Sequence, residues 1–216
     1  MSEFAVIGMG RFGRAVARNL VQEGQSVLAI DRDPRRLEMV AGEVDATARA
    51  DTTDEEAMTA LKLDRMSCVV VTIGSRATEA SVLTVAILRE LGVPRIVARA
   101  FNERHGRVLL SIGANEVLDP EDEIGGRLAL RLVRPSILDQ LRFGDVRLAE
   151  VEAPESFVGQ SLGELELRTR FDVNVLAIHR ATEVTPNPGA EATIASGDVL
   201  VVLGNELGIT RMAAFK

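Results

Sequence analysis

The run Phe4-Ala5-Val6-Ile7-Gly8-Met9-Gly10-Arg11-Phe12-Gly13-Arg14-Ala15-Val16 constrains the fold more than any other segment. It reads as a buried strand, a glycine turn and a helix start in immediate succession, which is the opening of a Rossmann-type α/β domain. Each glycine has its own task. Gly8 permits the tight turn out of the strand, Gly10 lets backbone amides approach a phosphate with no Cβ between, and Gly13 lets the helix lie close on the sheet. The free N–H groups and the positive end of the helix dipole then face an anion.

Phe12, Val16 and Leu20 follow at helical spacing, Gly24 is placed to stop the helix, and Ser26 to Ile30 reads as a second strand ending at Asp31. Asp31 stands close to the usual distance after the glycines for the acid that hydrogen-bonds ribose hydroxyls. The bland alternative makes the glycines a mere strand-to-helix turn and Asp31 a solvated loop acid. Further on, strands at Ala46 to Ala50, Cys68 to Ile73, Arg95 to Ala100 and Glu116 to Leu118 alternate with helical patterns from Asp33-Pro34 toward Ala41, Thr53 to Leu61, Thr78 to Leu91 and Glu103 to Ile112. Gly74-Ser75 closes the strand that holds Cys68. About six strand–helix repeats predict a doubly wound parallel sheet with right-handed crossovers.

From Glu121 to about Leu141 the spacing of Ile124, Leu128 and Leu132 predicts a helix leaving the first domain, with a break at Pro135. Beyond Gly144 the β-type runs Val146 to Val151, Asn174 to His179 and Val199 to Leu203, with short helices at Ser161 to Leu167 and Glu206 to Ala214, predict a small α+β unit. The expected division is a nucleotide-binding lobe over 1–120, a crossover helix and linker over 121–143, and a C-lobe over 144–216. At roughly 75 residues the C-lobe is near the lower limit for a self-sufficient core, and dimerisation through it would help.

The net charge of -7 argues against nucleic acid as the main partner, because phosphate backbones are met by basic surfaces. Apolar runs are strand-length, so no segment is expected to span a bilayer, and no signal peptide is read at the start. The single cysteine, Cys68, excludes a disulfide framework within one chain and fits a cytoplasmic address. A dehydrogenase would need a proton donor or acceptor beside a nicotinamide. Only His105 and His179 are available, the first near a helix start and the second in a strand. Binding without turnover is the favoured reading, and a small NAD(P)-dependent oxidoreductase is the alternative. Within the glycine turn, Arg11 occupies an outward position from which a guanidinium could reach a terminal phosphate; otherwise it only solubilises the loop.

The run from Val6 to Gly13, the strand end Leu28-Ala29-Ile30-Asp31, the segment Ala50-Asp51-Thr52-Thr53-Asp54, and Ile112-Gly113-Ala114-Asn115 followed by Asp119-Pro120-Glu121 resemble the RCK family, regulators of potassium conductance. Leu162-Gly163-Glu164-Leu165 and Gly197 to Gly204 are similar to that family's C-lobe, and the resemblance is to the cytosolic KtrA/TrkA-type subunits in particular.

The resemblance implies a cytoplasmic regulatory subunit, homodimers assembled into an octameric ring, under a membrane-embedded potassium-translocating partner of the KtrB/TrkH type. It implies that ATP or ADP, or alternatively NAD or NADH, is held by Gly8, Gly10, Phe12, Gly13, Asp31, Asp51, Thr52 and Gly74. Asp51 would lie by the adenine, Arg99 near the phosphates, and Arg11 at a terminal phosphate. Glu121 would help hold a cation such as Mg2+, Ca2+ or Na+. For Arg99 and Glu121 the alternatives are a surface charge ending a strand and a cap on the crossover helix. Asp51 stands where some relatives have Asn, and Arg99 where some have Lys. Arg168, Asn174 and Pro188 resemble positions at which some relatives bind cyclic di-AMP; alone, Arg168 reads as a surface arginine and Asn174 as a strand start.

Overall fold

A computed structural model describes residues 2–74 and 77–215, so Ser75 of the expected strand closure lies outside the described residues. The chain divides into two units, Met1–Asp122 and Glu123–Lys216.

In the first unit six strands pair in parallel in the order β3-β2-β1-β4-β5-β6. They are β1 (Glu3–Ile7), β2 (Ser26–Asp31), β3 (Ala46–Arg49), β4 (Cys68–Val71), β5 (Ile96–Arg99) and β6 (Glu116–Leu118). Side chains alternate across the sheet because successive Cβ atoms in a strand point to opposite faces. Ala5 and Ile7 of β1, Ile30 of β2, and Val69 and Val71 of β4 join one buried cluster, whereas Val6, Val27 and Ala29 join another. The near-continuous apolar strands of the sequence are thus explained by burial on both faces.

Helices α1 (Arg11–Gln22) and α2 (Pro34–Glu38) supply Ala17 and Leu37 to the second cluster. Helices α3 (Glu55–Ala60), α4 (Thr78–Glu90) and α5 (Glu103–Ser111) supply Met58, Val85, Leu88 and Leu109 to the first. The order 3-2-1-4-5-6 reverses direction between β1 and β4, and the loops leaving their carboxyl ends part there to leave a crevice.

Helix α6 (Pro120–Val133) starts on proline, whose missing N–H costs nothing at a first helical position. The expected helical stretch to about Leu141 is corrected here. The helix ends at Val133, and Ile137–Phe143 is a strand, β7, paired antiparallel with β8 (Val146–Glu152). Pro135 cannot continue the helical ladder and disfavours the helical region for the residue before it, and Gly144, at φ +60°, turns the chain into β8.

The second unit is a five-stranded antiparallel sheet, β10-β9-β11-β8-β7, with β9 (Val173–Arg180), β10 (Glu183–Pro186) and β11 (Val199–Asn205). Helices α7 (Leu162–Leu165), α8 (Leu167–Phe171) and α9 (Glu206–Ala213) place Leu165, Phe171, Ile209 and Met212 in its core beside Val151, Phe157 and Leu200. A reciprocal Ser161–Glu164 capping box starts α7.

Candidate nucleotide cleft

The cleft is built outward from the glycine turn. Gly8 has φ +95°, and a Cβ there would sit 3.1 Å from the Thr72 carbonyl carbon, so both conformation and space demand glycine. Its N–H donates to the Ile30 carbonyl at 2.7 Å. Gly13 is tighter still: a Cβ would lie 2.0 Å from the Gly8 carbonyl oxygen and 2.4 Å from Thr72 Oγ1. At Gly10, by contrast, the same atom would meet nothing within 4 Å.

Five other helix starts are closed by side chains, whereas α4 and α8, like α1, have no side-chain cap. Asp33, Asp54, Asn102, Ser161 and Asn205 each accept a hydrogen bond from an amide in the first turn of α2, α3, α5, α7 and α9. Helix α1 begins on Gly10 with no side-chain cap and no acid in its first turn. Its amino end therefore keeps both its positive partial charge and its donors for an outside anion.

Asp31, at the end of β2, is buried, and its carboxylate is already engaged. Oδ2 accepts from the Met9 N–H at 2.7 Å and from Arg36 Nη1 at 3.4 Å, and Oδ1 accepts from the Asp33 N–H at 2.9 Å. The acid thus pins the glycine turn to the β2 loop and keeps lone pairs for ribose hydroxyls. Asp51, beyond β3, accepts from the Thr53 hydroxyl at 2.7 Å and from the Thr53 N–H at 3.0 Å. Those two bonds, aided by the charge of Arg32, hold its carboxyl below the ordinary range against a small desolvation cost, so it is anionic at neutral pH.

Seven of the expected residues line one cleft of about 490 Å³: Gly8, Gly10, Asp31, Asp51, Thr52, Gly74 and Arg99. Thr52 is buried, and its hydroxyl is 2.8 Å from that of Thr84 on α4, so it contributes to the wall more than to polar contact. Arg11, exposed as the first residue of α1, together with Phe12, Gly13 and Glu121, stands outside the lining. Phe12 and Glu121 reach it through Arg99, whose guanidinium lies 5.6 Å from the Phe12 ring centre and pairs with the Glu121 carboxylate.

Three polar lining residues escape sequence reading: Arg32, Arg36 and Thr72. Thr72 Oγ1 donates toward the Ile7 and Gly8 carbonyls at 3.0 and 2.6 Å, locking the turn to the end of β4. Its signal in sequence is the hydroxyl that follows the apolar run from Cys68.

The other ionisable candidates lie apart from the cleft. His105 is buried in α5 with its ring stacked on Phe101 at 3.9 Å, and burial pushes its pKa down. His179 is exposed on β9, and the buried Cys68 thiol is pushed up by desolvation. In the second unit Arg168 and Asn174 are exposed on α8 and β9, and Pro188 is half-buried just beyond β10.

The chain matches the TrkA-N domain over residues 4–120 and the TrkA-C domain over residues 146–215. It is 37% identical over 210 residues to the Ktr system potassium uptake protein C of Bacillus subtilis (strain 168), covering 97% of this chain and 95% of that one. It is 31% identical over 210 residues to the Ktr system potassium uptake protein A of the same organism, covering 97% and 94%. Among solved structures, the GsuK channel bound to NAD superposes with a TM-score of 0.69 at 18% identity, covering 99% of this chain and 39% of that longer one. That likeness bears on the fold.

Proposed function

The chain belongs to the TrkA family of potassium-uptake proteins, and on that premise we propose that it is a non-enzymatic regulatory subunit whose first unit senses an adenine nucleotide. One observation carries this reading: Gly8, Gly10, Asp31, Asp51 and Arg99, from the ends of four separate strands, converge on one cleft beside an uncapped helix start. Phosphate would sit at the amino end of α1, ribose at Asp31 and adenine toward Asp51.

ATP and ADP are the favoured ligands, with NAD and NADH the alternative that the NAD-bound fold neighbour supports. An oxidoreductase has no comparable support, because neither histidine nor cysteine lines the cleft among the described residues. No described helix is long and apolar enough to cross a membrane. In this proposal potassium passes through a membrane-embedded partner of the KtrB/TrkH type, which the subunit meets from the cytoplasm as a ring of dimers, a reading that its Ktr-system relatives support. Among the described residues no three acidic, histidine or cysteine side chains gather as a metal cage. A cation at Glu121 therefore takes its remaining donors from bound phosphate or a second copy. Cyclic di-AMP at Arg168, Asn174 and Pro188 of the second unit belongs to the same proposal.

Titrating the full chain with ATP, ADP, NAD and NADH while following thermal unfolding tests the reading, since a ligand that binds only the folded state raises its midpoint. A midpoint unmoved by all four overturns it. Arg11→Ala is expected to keep binding while narrowing the preference between ATP and ADP by about threefold, the scale of one exposed charge contact. Unchanged discrimination removes Arg11 from the sensing role.

A further inference from the structure

We propose that Arg99 is shared between two competing anions, the Glu121 carboxylate and a nucleotide phosphate, so that filling the cleft unlatches the first turn of α6. The inference rests on the nucleotide reading and adds a regulatory consequence to it. Arg99 lines the cleft, yet its Nη2 is already committed to Glu121, the second residue of α6. The Phe12 ring, 5.6 Å away on the second residue of α1, holds the guanidinium beside the helix start where an anion would be received. Arg99 Nε is buried with no hydrogen-bond partner. A guanidinium offers five donors in a planar fork, and here at least one of them waits for an acceptor.

The two anions are not equal rivals. Glu121 is 63% exposed, so its half of the pair is solvated and weakly held. A phosphate group carries more charge, presents several oxygens to the fork and has the amino end of α1 as a second attraction. Phosphate therefore wins Arg99, and Glu121 is set free at the start of a helix that runs from Pro120 to Val133. The coupling is reciprocal: whatever holds Glu121 on Arg99 weakens nucleotide binding by the same factor.

This makes a counterintuitive expectation, that deleting an acid which takes no part in the cleft lining tightens binding. The test is calorimetric titration of ADP, and separately of NAD, into the full chain in the presence of a chelator, for the wild type, Glu121→Gln, Glu121→Ala and Asp122→Asn. Both Glu121 variants are expected to bind about two- to fivefold more tightly, the factor set by losing one pair whose acid is largely exposed. Asp122→Asn removes one negative charge from the same turn and is expected to bind as the wild type does. Amide exchange over residues 124–128, whose helical bonds close the first turns of α6, is expected to rise with ADP in the wild type and to be raised beforehand in Glu121→Gln. Equal or weaker binding by both Glu121 variants, with binding otherwise intact, overturns the latch alone. An equal gain in Asp122→Asn reduces it to a general field effect and also overturns it. Failure of every chain to bind ADP or NAD overturns the nucleotide reading and the latch together.

Discussion

Gly13→Ala is expected to destabilise the first unit by about 3 kcal/mol, at the upper end of the overpacking range. The added methyl would stand 2.0 Å from the Gly8 carbonyl oxygen and 2.4 Å from Thr72 Oγ1. Neither obstacle is a flexible side-chain end. The Gly8 carbonyl belongs to a turn fixed at φ +95°, and Thr72 Oγ1 is bonded to that same oxygen at 2.6 Å. Relief requires α1 to lift from the sheet, which uncovers Ala17 and Met9. Gly10→Ala, three residues away, supplies the control. Its methyl meets no atom within 4 Å and its backbone is extended, so stability should change by less than about 0.5 kcal/mol. Nucleotide affinity should fall nonetheless, because that methyl occupies the approach to the helix amides. The chain has neither tryptophan nor tyrosine, so urea unfolding is best followed by far-ultraviolet circular dichroism. If Gly13→Ala unfolds at the wild-type urea concentration, the close helix–sheet approach is wrong.

The same contrast shows what was legible in the sequence. Glycine turns, the acid ending β2 and the alternation of strand and helix are local signals, and each of them places a piece of the cleft. What escaped depends on pairing over long separations. Strand β7 was hidden because Ile124, Leu128 and Leu132 continue a helical spacing toward it, while only Ile137 within β7 is fully buried. Its identity comes from the ladder with β8, which no local pattern announces. Strand β10 is exposed at every residue and ends on a proline, as suits a sheet edge, so it offered no alternation to read. Thr52 lines the cleft with Asp51, but the turn of its hydroxyl toward Thr84 is a fact of packing. The pairing of Arg99 with Glu121 joins residues 22 apart, and among Asp119, Glu121, Asp122 and Glu123 sequence alone does not choose the partner.

In the second unit, Asp198→Asn is expected to cost about 2 kcal/mol at pH 7, the value of a charge-assisted hydrogen-bond set at a shielded carboxylate. Asp198 is fully shielded, accepts a two-pronged bond from Arg180 at 2.8 Å for both nitrogens, and accepts the Ala195 N–H at 2.8 Å. Arg180 Nη2 also donates to the Thr193 carbonyl at 2.9 Å, so this one carboxylate ties the loop before β11 to the end of β9. An asparagine keeps the volume but presents one acceptor oxygen, and its amide group faces donors. The loss is held to the middle of the range because the Arg180 side chain is 53% exposed and can rehydrate. The pH dependence follows from the direction of the shift. The bonds from Arg180, first, and from Ala195 hold the Asp198 carboxyl below its ordinary value despite desolvation. The folded state therefore binds this proton less readily than the unfolded chain, whose aspartates titrate at about 3.9. The stabilisation is complete above that value and is lost as pH falls through the lower folded one. Urea unfolding of wild type and Asp198→Asn at pH 7 and near pH 3 checks both parts: the gap between the two proteins should be wide at pH 7 and narrow in acid. A gap that stays constant assigns the cost to altered packing, and a gap that widens in acid reverses the sign of the linkage. Glu206, held down chiefly by Arg147 and then by Arg134, should leave a residual acid sensitivity in the variant, because its carboxylate bonds are untouched by the change at Asp198.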